Sequence, residues 1–205
     1  MFCDRFGAQN IALADILFVD GTFSITPGLS AKAGKNRYPY GQVWVIHAGF
    51  DGRKKRDGQL LEAHEKRQWL TVPCAWIVME EKHQNTGDYK AALNLLVEKA
   101  ERDVEEGGWG MNFRERMKNK KIMMDFETAE RNAFEEVFPT VELTGCAFHF
   151  VHALAKNIRT KGLWKLYRDN RQFKHYIRKV MMLMFLPATQ VCHSLHLCAD
   201  DLCCH

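Results

Sequence analysis

Two short runs of this chain close an apolar segment on a carboxylate: Phe18-Val19-Asp20-Gly21-Thr22-Phe23 and Ile122-Met123-Met124-Asp125-Phe126-Glu127. That is the pattern of a buried strand delivering an acid to the rim of a sheet. Carboxylate oxygens are the donors that hard cations such as Mg²⁺ take. Asp20 and Asp125 are distant in sequence, so a shared site requires the fold to bring them together. Each acid also has a plainer reading. Asp20-Gly21 is a common turn pair. Glu127 stands where a strand gives way to a helix, and there the helix dipole favours an acid. Helix capping is therefore the expected role of Glu127, with a metal contact as the alternative.

The elements that would position these acids follow from the pattern of apolar residues. Residues 15–25 are apolar, β-branched or aromatic and precede Pro27-Gly28, which predicts a first strand containing Asp20. A polar loop at 32–40 leads to a second strand at 42–50. A basic loop at 53–58 leads to a third at 70–79, where Pro73 argues for a sheet edge or a break. Tyr89, Ala92, Leu93, Leu96, Val97 and Ala100 then recur at helical spacing behind Thr86 or Asp88 as cap, with Gly107-Gly108 as the stop. After a polar link at 112–120 come a fourth strand at 121–125, a helix at 128–137 ended by Pro139, and a fifth strand at 141–148. A basic helical region fills 150–186. The order β-β-β-α-β-α-β-α predicts an α/β fold: a mixed five-stranded sheet of ribonuclease-H-like type with a C-terminal helical segment, the first strand central and the fourth its parallel neighbour. Sites in such sheets form at the carboxyl ends of strands beside a topological switch.

Bulk properties narrow the class. A chain of 205 residues, 46% hydrophobic and 26% charged, can bury a real core in one globular domain with an appendage. The net charge of +4 is unevenly spread, with nine Lys/Arg and a single acid between positions 151 and 182. Lys156, Arg159, Lys165, Arg168 and Arg171 in this stretch are candidate nucleic-acid contacts, because clustered cations gain counterion-release free energy on a phosphate backbone; a solvated helix face is the alternative. The basic loop at 53–56 reads as a charged loop tip. The apolar stretch at 11–19 is interrupted by Asp15, and that at 181–186 is too short to span a bilayer. No membrane partner or signal peptide is expected, and the protein reads as intracellular, nuclear or cytoplasmic. Seven Cys, four of them near the C-terminus, form no evenly spaced disulfide framework, so reduced thiols are expected.

Taken in order, the quoted segments resemble the catalytic domain of the Mutator-like element (MULE) transposases, which is ribonuclease-H-like. The matching pieces are Phe18 to Phe23, Asp125-Phe126-Glu127 with Ala133-Phe134 and Phe138-Pro139 after it, Gly145-Cys146-Ala147-Phe148-His149-Phe150, and Met184-Phe185-Leu186-Pro187. The resemblance implies a core at 15–160, the start of a helical insertion at 161–191, and a divergent tail at 192–205. It also implies an Asp-Asp-Glu triad holding two Mg²⁺ or Mn²⁺ ions, with Asp20 and Asp125 as its first two acids. Two cations roughly 3.5–4 Å apart activate an attacking oxygen and stabilise a leaving one. DNA would be the partner, the reaction strand cleavage and transfer, and assembly with a second copy would follow. The chain departs from the family at the third acid: no Glu follows Glu142. A C-terminally truncated, catalytically incomplete domain is therefore expected, or else a transposon-derived interaction module without catalysis.

Other residues carry weaker signals. Cys146 and His149 match the family's Cys-x-x-His motif at the fifth strand, where a small buried thiol and a hydrogen-bonded imidazole are expected. Zinc is not expected there, since no second pair lies at zinc-finger spacing. The tail cluster of Cys192, His193, His196, Cys198, Cys203, Cys204 and His205 fits no standard knuckle. His47, His152 and His175 have no comparable context. Trp44, Trp76 and Trp164 fall at apolar positions suited to a core, whereas Trp109 lies in a Gly-rich turn. Met124-Asp125-Phe126-Glu127-Thr128 also reads like the opening motif of proofreading-type exonucleases. Too little chain follows it for that domain, and Thr22 stands where Asp20 would need a Glu.

Overall fold

The computed structural model describes residues 1–22, 42–52, 69–79, 84–107, 112–187, 189–191 and 194–195. The loops at 32–40 and 53–58, the end of the expected first strand at 23–25, Trp109 and all the Cys and His of the tail lie outside the described residues. The chain divides into two units, Met1–Thr144 and Gly145–His205.

The first unit is built on a five-stranded sheet of β1 (Ile16–Thr22), β2 (Gln42–Asp51), β3 (Trp69–Met79), β4 (Lys121–Met124) and β5 (Glu142–Gly145). Their order is β3-β2-β1-β4-β5. β1–β2 and β2–β3 are antiparallel, while β1–β4 and β4–β5 are parallel. Order and directions are consistent with a ribonuclease-H-like fold, and β1 is central as expected. Pro73 does sit on an edge strand, at a bulge: Ile46 pairs with Ala75 and His47 with Pro73, so Cys74 is passed over. Such an insertion leaves one residue unpaired and is where a strand tolerates proline.

Three helices, α1 (Arg5–Leu13), α2 (Thr86–Gly107) and α4 (Thr128–Val137), contribute with the sheet to one apolar core, and the short α3 (Phe113–Met117) joins them. Leu17 and Val19 of β1 and Trp44, Ile46 and Ala48 of β2 belong to it, at 0–3% exposure. Strand alternation turns Phe18 and Asp20 the other way. The cap of α2 differs from expectation. Asn85 accepts from the Asp88 N–H (3.1 Å) and Asp88 accepts from the Asn85 N–H (3.0 Å), a reciprocal box that leaves Thr86 inside the helix. Helix α1 is capped by Asp4, whose carboxylate accepts from the Gly7 N–H at 2.6 Å. It packs so closely on β3 that a Cβ at Gly7 would lie 2.3 Å from the Cys74 carbonyl oxygen.

The second unit holds α5 (Ala147–Thr160), α6 (Trp164–Asp169), α7 (Arg171–Met182) and a 3₁₀ turn at Leu183–Phe185. The fifth strand is shorter than its sequence suggests. It stops at Gly145, Cys146 is the residue that opens α5, and Ala147 and Phe148 are helical. Among the described residues no helix is long and apolar enough to cross a membrane.

One buried cation fastens the parallel pair. Lys120, 9% exposed, donates from Nζ to the carbonyls of Ala12 (3.0 Å) and Ala14 (2.6 Å), which satisfies the end of α1 just before β1 begins. Lys120 itself directly precedes β4. Replacing it by Met keeps the stem but removes both charge-assisted bonds. Lys120→Met is expected to lose about 2–3 kcal/mol in urea denaturation; a loss within experimental error would show that these bonds do not hold the pair.

Candidate functional site

The register of β1 on β4 places the two candidate acids. Ile16 pairs with Lys121, Leu17 with Ile122 and Phe18 with Met123. Two residues beyond that last pair the count reaches Asp20, still within β1, and Asp125, the residue that follows β4. Paired strands lie about 4.8 Å apart. Asp20 is exposed and Asp125 half-buried. The Phe126 N–H closes onto Asp125 Oδ1 at 2.5 Å, which fixes that carboxylate against its own main chain.

The Asp20-Gly21 pair is not a turn. β1 continues through Thr22, and Gly21 pairs with Trp44 across the antiparallel ladder. Close approach explains the glycine, since a Cβ there would sit 2.8 Å from Gln42 Oε1. Glu127 does stand at the N-cap position of α4, yet its side chain makes no capping bond. It accepts instead from the Tyr89 hydroxyl at 3.1 Å. A buried tyrosine is a stronger claimant for that carboxylate than helix N–H groups that water can serve.

Behind these acids lies a polar network that the sequence pattern does not announce. Gln42, 1% exposed, donates from Nε2 to Tyr89 Oη (2.8 Å) and to Met79 Sδ (3.3 Å). The Trp44 indole N–H donates to Glu130 Oε1 at 2.6 Å, and the Trp44 ring meets Tyr89 and Phe134 edge-on at 5.2 and 5.9 Å. Glu130 is only 3% exposed. Burial pushes its carboxyl up to about 8; the Trp44 bond opposes this, and the charges of Glu127, Asp125 and Asp20 add to it. Asp20, Asp125 and Glu127 are therefore each within electrostatic reach of Glu130. Burial likewise raises the Tyr89 phenol above its ordinary range, with Gln42 lowering it and Glu127 and Glu130 raising it. His47, opposite Phe18 on β2, has its pKa lowered by burial, and Asp20 works against that shift.

Glu130 could have been found from sequence. It shares the α4 face of Ala133 and Phe134, and an acid on the apolar face of an amphipathic helix signals a buried, hydrogen-bonded group. Trp44 is buried as expected, but Trp76 and Trp164 are each 38% exposed.

Carboxylates from two strand ends suit a hard divalent cation in donor type. Among the described residues, however, no group of three or more His, Cys, Asp or Glu could hold a metal ion. Cys146 and His149 belong to the second unit. Cys146 is half-buried, not buried, and opens α5 without a side-chain capping bond; His149 lies in the first turn, ring-to-ring with Phe148 at 5.6 Å. Lys156, Arg159, Lys165 and Arg171 are exposed on the helices of that unit. Arg168 differs, since its guanidinium forms a two-pronged pair with Asp169 at 2.7 and 3.2 Å.

The site and topology together define an α/β protein whose sheet order is compatible with a ribonuclease-H-like domain, bearing two acids at its central parallel strand ends. No protein-family model matches the chain, and no curated protein is similar to it at a significant level.

The proton on Glu130 makes stability depend on pH. An unfolded Glu ionises near 4.5, whereas the folded group keeps its proton up to about 8. Between those values the folded state binds more protons than the unfolded one. The contribution is therefore full below about pH 4.5, falls by up to about 1.4 kcal/mol per pH unit as pH rises, and levels off above about 8. Glu130→Gln keeps an oxygen for Trp44 and removes the titration. Urea midpoints measured across this range should fall more steeply for the wild type than for the variant, and parallel profiles would refute the assignment.

Proposed function

We propose that this chain is a ribonuclease-H-like domain of the MULE transposase type, whose ancestral chemistry is metal-dependent cleavage and transfer of DNA strands. The observation that supports the reading is the parallel β1–β4 register, whose last pair, Phe18–Met123, lies two residues before Asp20 and two before Asp125. Such neighbouring strands are where a two-metal nuclease needs its first carboxylates. Asp20 and Asp125 would hold Mg²⁺ or Mn²⁺, while Glu127 is engaged by the Tyr89 hydroxyl. A bound cation would supply Lewis acidity and an activated water. The chain's own part is to hold two acids on rigid strand ends and to keep Glu130 neutral behind them, so that its charge does not add to the repulsion.

Asp20 and Asp125 correspond to two of the family's three acids. Two carboxylates by themselves support weak cation binding better than catalysis. The alternative, a transposon-derived nucleic-acid or protein interaction module, is supported by the basic helices.

Metal titration separates the two. With a dissociation constant on the order of 1 mM, about 10 mM Mn²⁺ should stabilise the protein by roughly 1.4 kcal/mol in denaturation. That gain should vanish in Asp20→Asn and in Asp125→Asn, and supercoiled DNA should not be nicked. Mn²⁺-dependent nicking lost in Asp20→Asn would mean that the site is complete. No response to Mn²⁺, together with Asn variants more stable than the parent, would leave the interaction module as the function.

A further inference from the structure

Trp164 occupies an apolar sequence position, yet its ring stands at the surface of α6, 38% exposed. The Arg159 guanidinium lies 4.4 Å from the ring centroid. Tyr167 stacks on the same indole at 5.4 Å, with 29° between the planes. Lys156, Lys161 and Lys165 are exposed on the same stretch, and no acid occurs from residue 147 to residue 168. The first acid after it, Asp169, pairs with Arg168.

Through Asn170 alone α6 passes into α7, which contains no acid. Arg171, Lys174, His175 and Arg178 recur there at helical spacing and fall within one stripe of about 100°. They line a groove of about 440 Å³ together with Gln172. The opposite side of α7 carries Phe173, Tyr176 and the buried Ile177. A partly exposed aromatic stack followed in the chain by a stripe of cations is the surface that single-stranded nucleic acid uses: phosphates track the charges and a base adds to the rings. A duplex has no use for the second part, because its base faces are already stacked on one another. An anionic membrane would use the cations, but the apolar side of α7 that would enter it carries the buried Ile177.

We propose that the second unit binds unpaired nucleic acid, with backbone phosphates on the Arg171/Lys174/Arg178 stripe and an unstacked base on the Trp164–Tyr167 stack. This rests on the nucleic-acid reading above and narrows it from DNA in general to strands whose bases are free.

The test uses the full chain and fluorescence anisotropy with an oligothymidylate of about 20 nucleotides, longer than the ~4–16 nucleotides one single-strand-binding fold covers. A duplex of equal length and anionic phospholipid vesicles are the comparisons, all at the same salt. The single strand should bind at least roughly tenfold more tightly than the duplex. Trp164→Ala should weaken single-strand binding by roughly five- to hundredfold, the range that loss of one stacked base produces, and should leave the duplex unchanged. Trp164→Phe keeps a ring face and should retain most of the preference, which separates lost stacking from a damaged fold. Arg171→Glu with Lys174→Glu should weaken both nucleic acids and flatten their salt dependence. A duplex bound as tightly as the single strand, or an unaffected Trp164→Ala, overturns the stacking proposal while leaving a DNA partner in place. Binding to neither nucleic acid overturns both. Binding to vesicles alone overturns both in favour of a membrane surface.

Discussion

The parallel pairing of β1 with β4 is the constraint on which the candidate site depends, and Lys120 is what ties its two ends. Strand periodicity has a period of two, so a slip of one residue would turn Asp20 from its own face of the sheet to the face of Leu17, Val19 and Trp44. A slip of two would keep the face and lose the observed pairing. Three paired residues are a short ladder to set such a register by hydrogen bonds alone. The Lys120 ammonium adds a fixed point at the entrance to both strands, bonded to Ala12 and Ala14 ahead of β1 while its own backbone leads into β4. A charge is costly to bury unless paired or fully hydrogen-bonded. Any register that withdrew the carbonyls from Lys120 would incur that cost, which gives the short ladder more specificity than its length suggests.

Behind the pair, the core adapts to polar groups instead of excluding them. Trp44 is fully buried, and its indole N–H would be left without a partner but for Glu130. Glu130 in turn tolerates burial by keeping its proton, since desolvation and three neighbouring acids all oppose its charge. Gln42 links Tyr89 to the sheet, and Tyr89 holds Glu127 at the entry to α4. The start of α4 is thus positioned from below by side-chain bonds, not by a capping box. This is why Glu127 lies beside Asp125 without serving the helix it precedes.

Much of this architecture is legible in the sequence because its elements are strongly patterned. β2 and β3 are long apolar runs, α2 and α4 repeat at helical spacing, and Asp125 follows directly on an apolar strand. The misses have local causes. Helix α1 has no counterpart among the expected elements: Ala8, Ile11 and Ala12 are buried, but small residues give a weak apolar stripe. α3 is a single capped turn inside a polar stretch. The fifth strand ends early because Cys146, directly after Gly145, already serves as the N-cap residue of α5. Gln42 is buried by a partner distant in sequence, Tyr89, which pattern cannot show, whereas Glu130 is signalled by its place on the apolar face of α4. Trp164 is the opposite case, an apolar residue kept at the surface by a cation and a second ring.

Asp20 and Asp125 differ from Glu130 in how the fold houses them. Like charges opposite one another on neighbouring strands are destabilising. The Phe126 N–H would be served as well by an Asn at 125, and Asp20 caps no turn, since β1 runs past it. Glu130 shows what the fold does with an acid it has no use for as an anion: it buries it, hydrogen-bonds it and keeps it neutral. Asp20 and Asp125 are housed differently: Asp20 is exposed on β1 and Asp125 half-buried just after β4, both interior strands of the sheet. There water can screen the charges, so the fold tolerates carboxylates at these positions without enclosing them as it encloses Glu130.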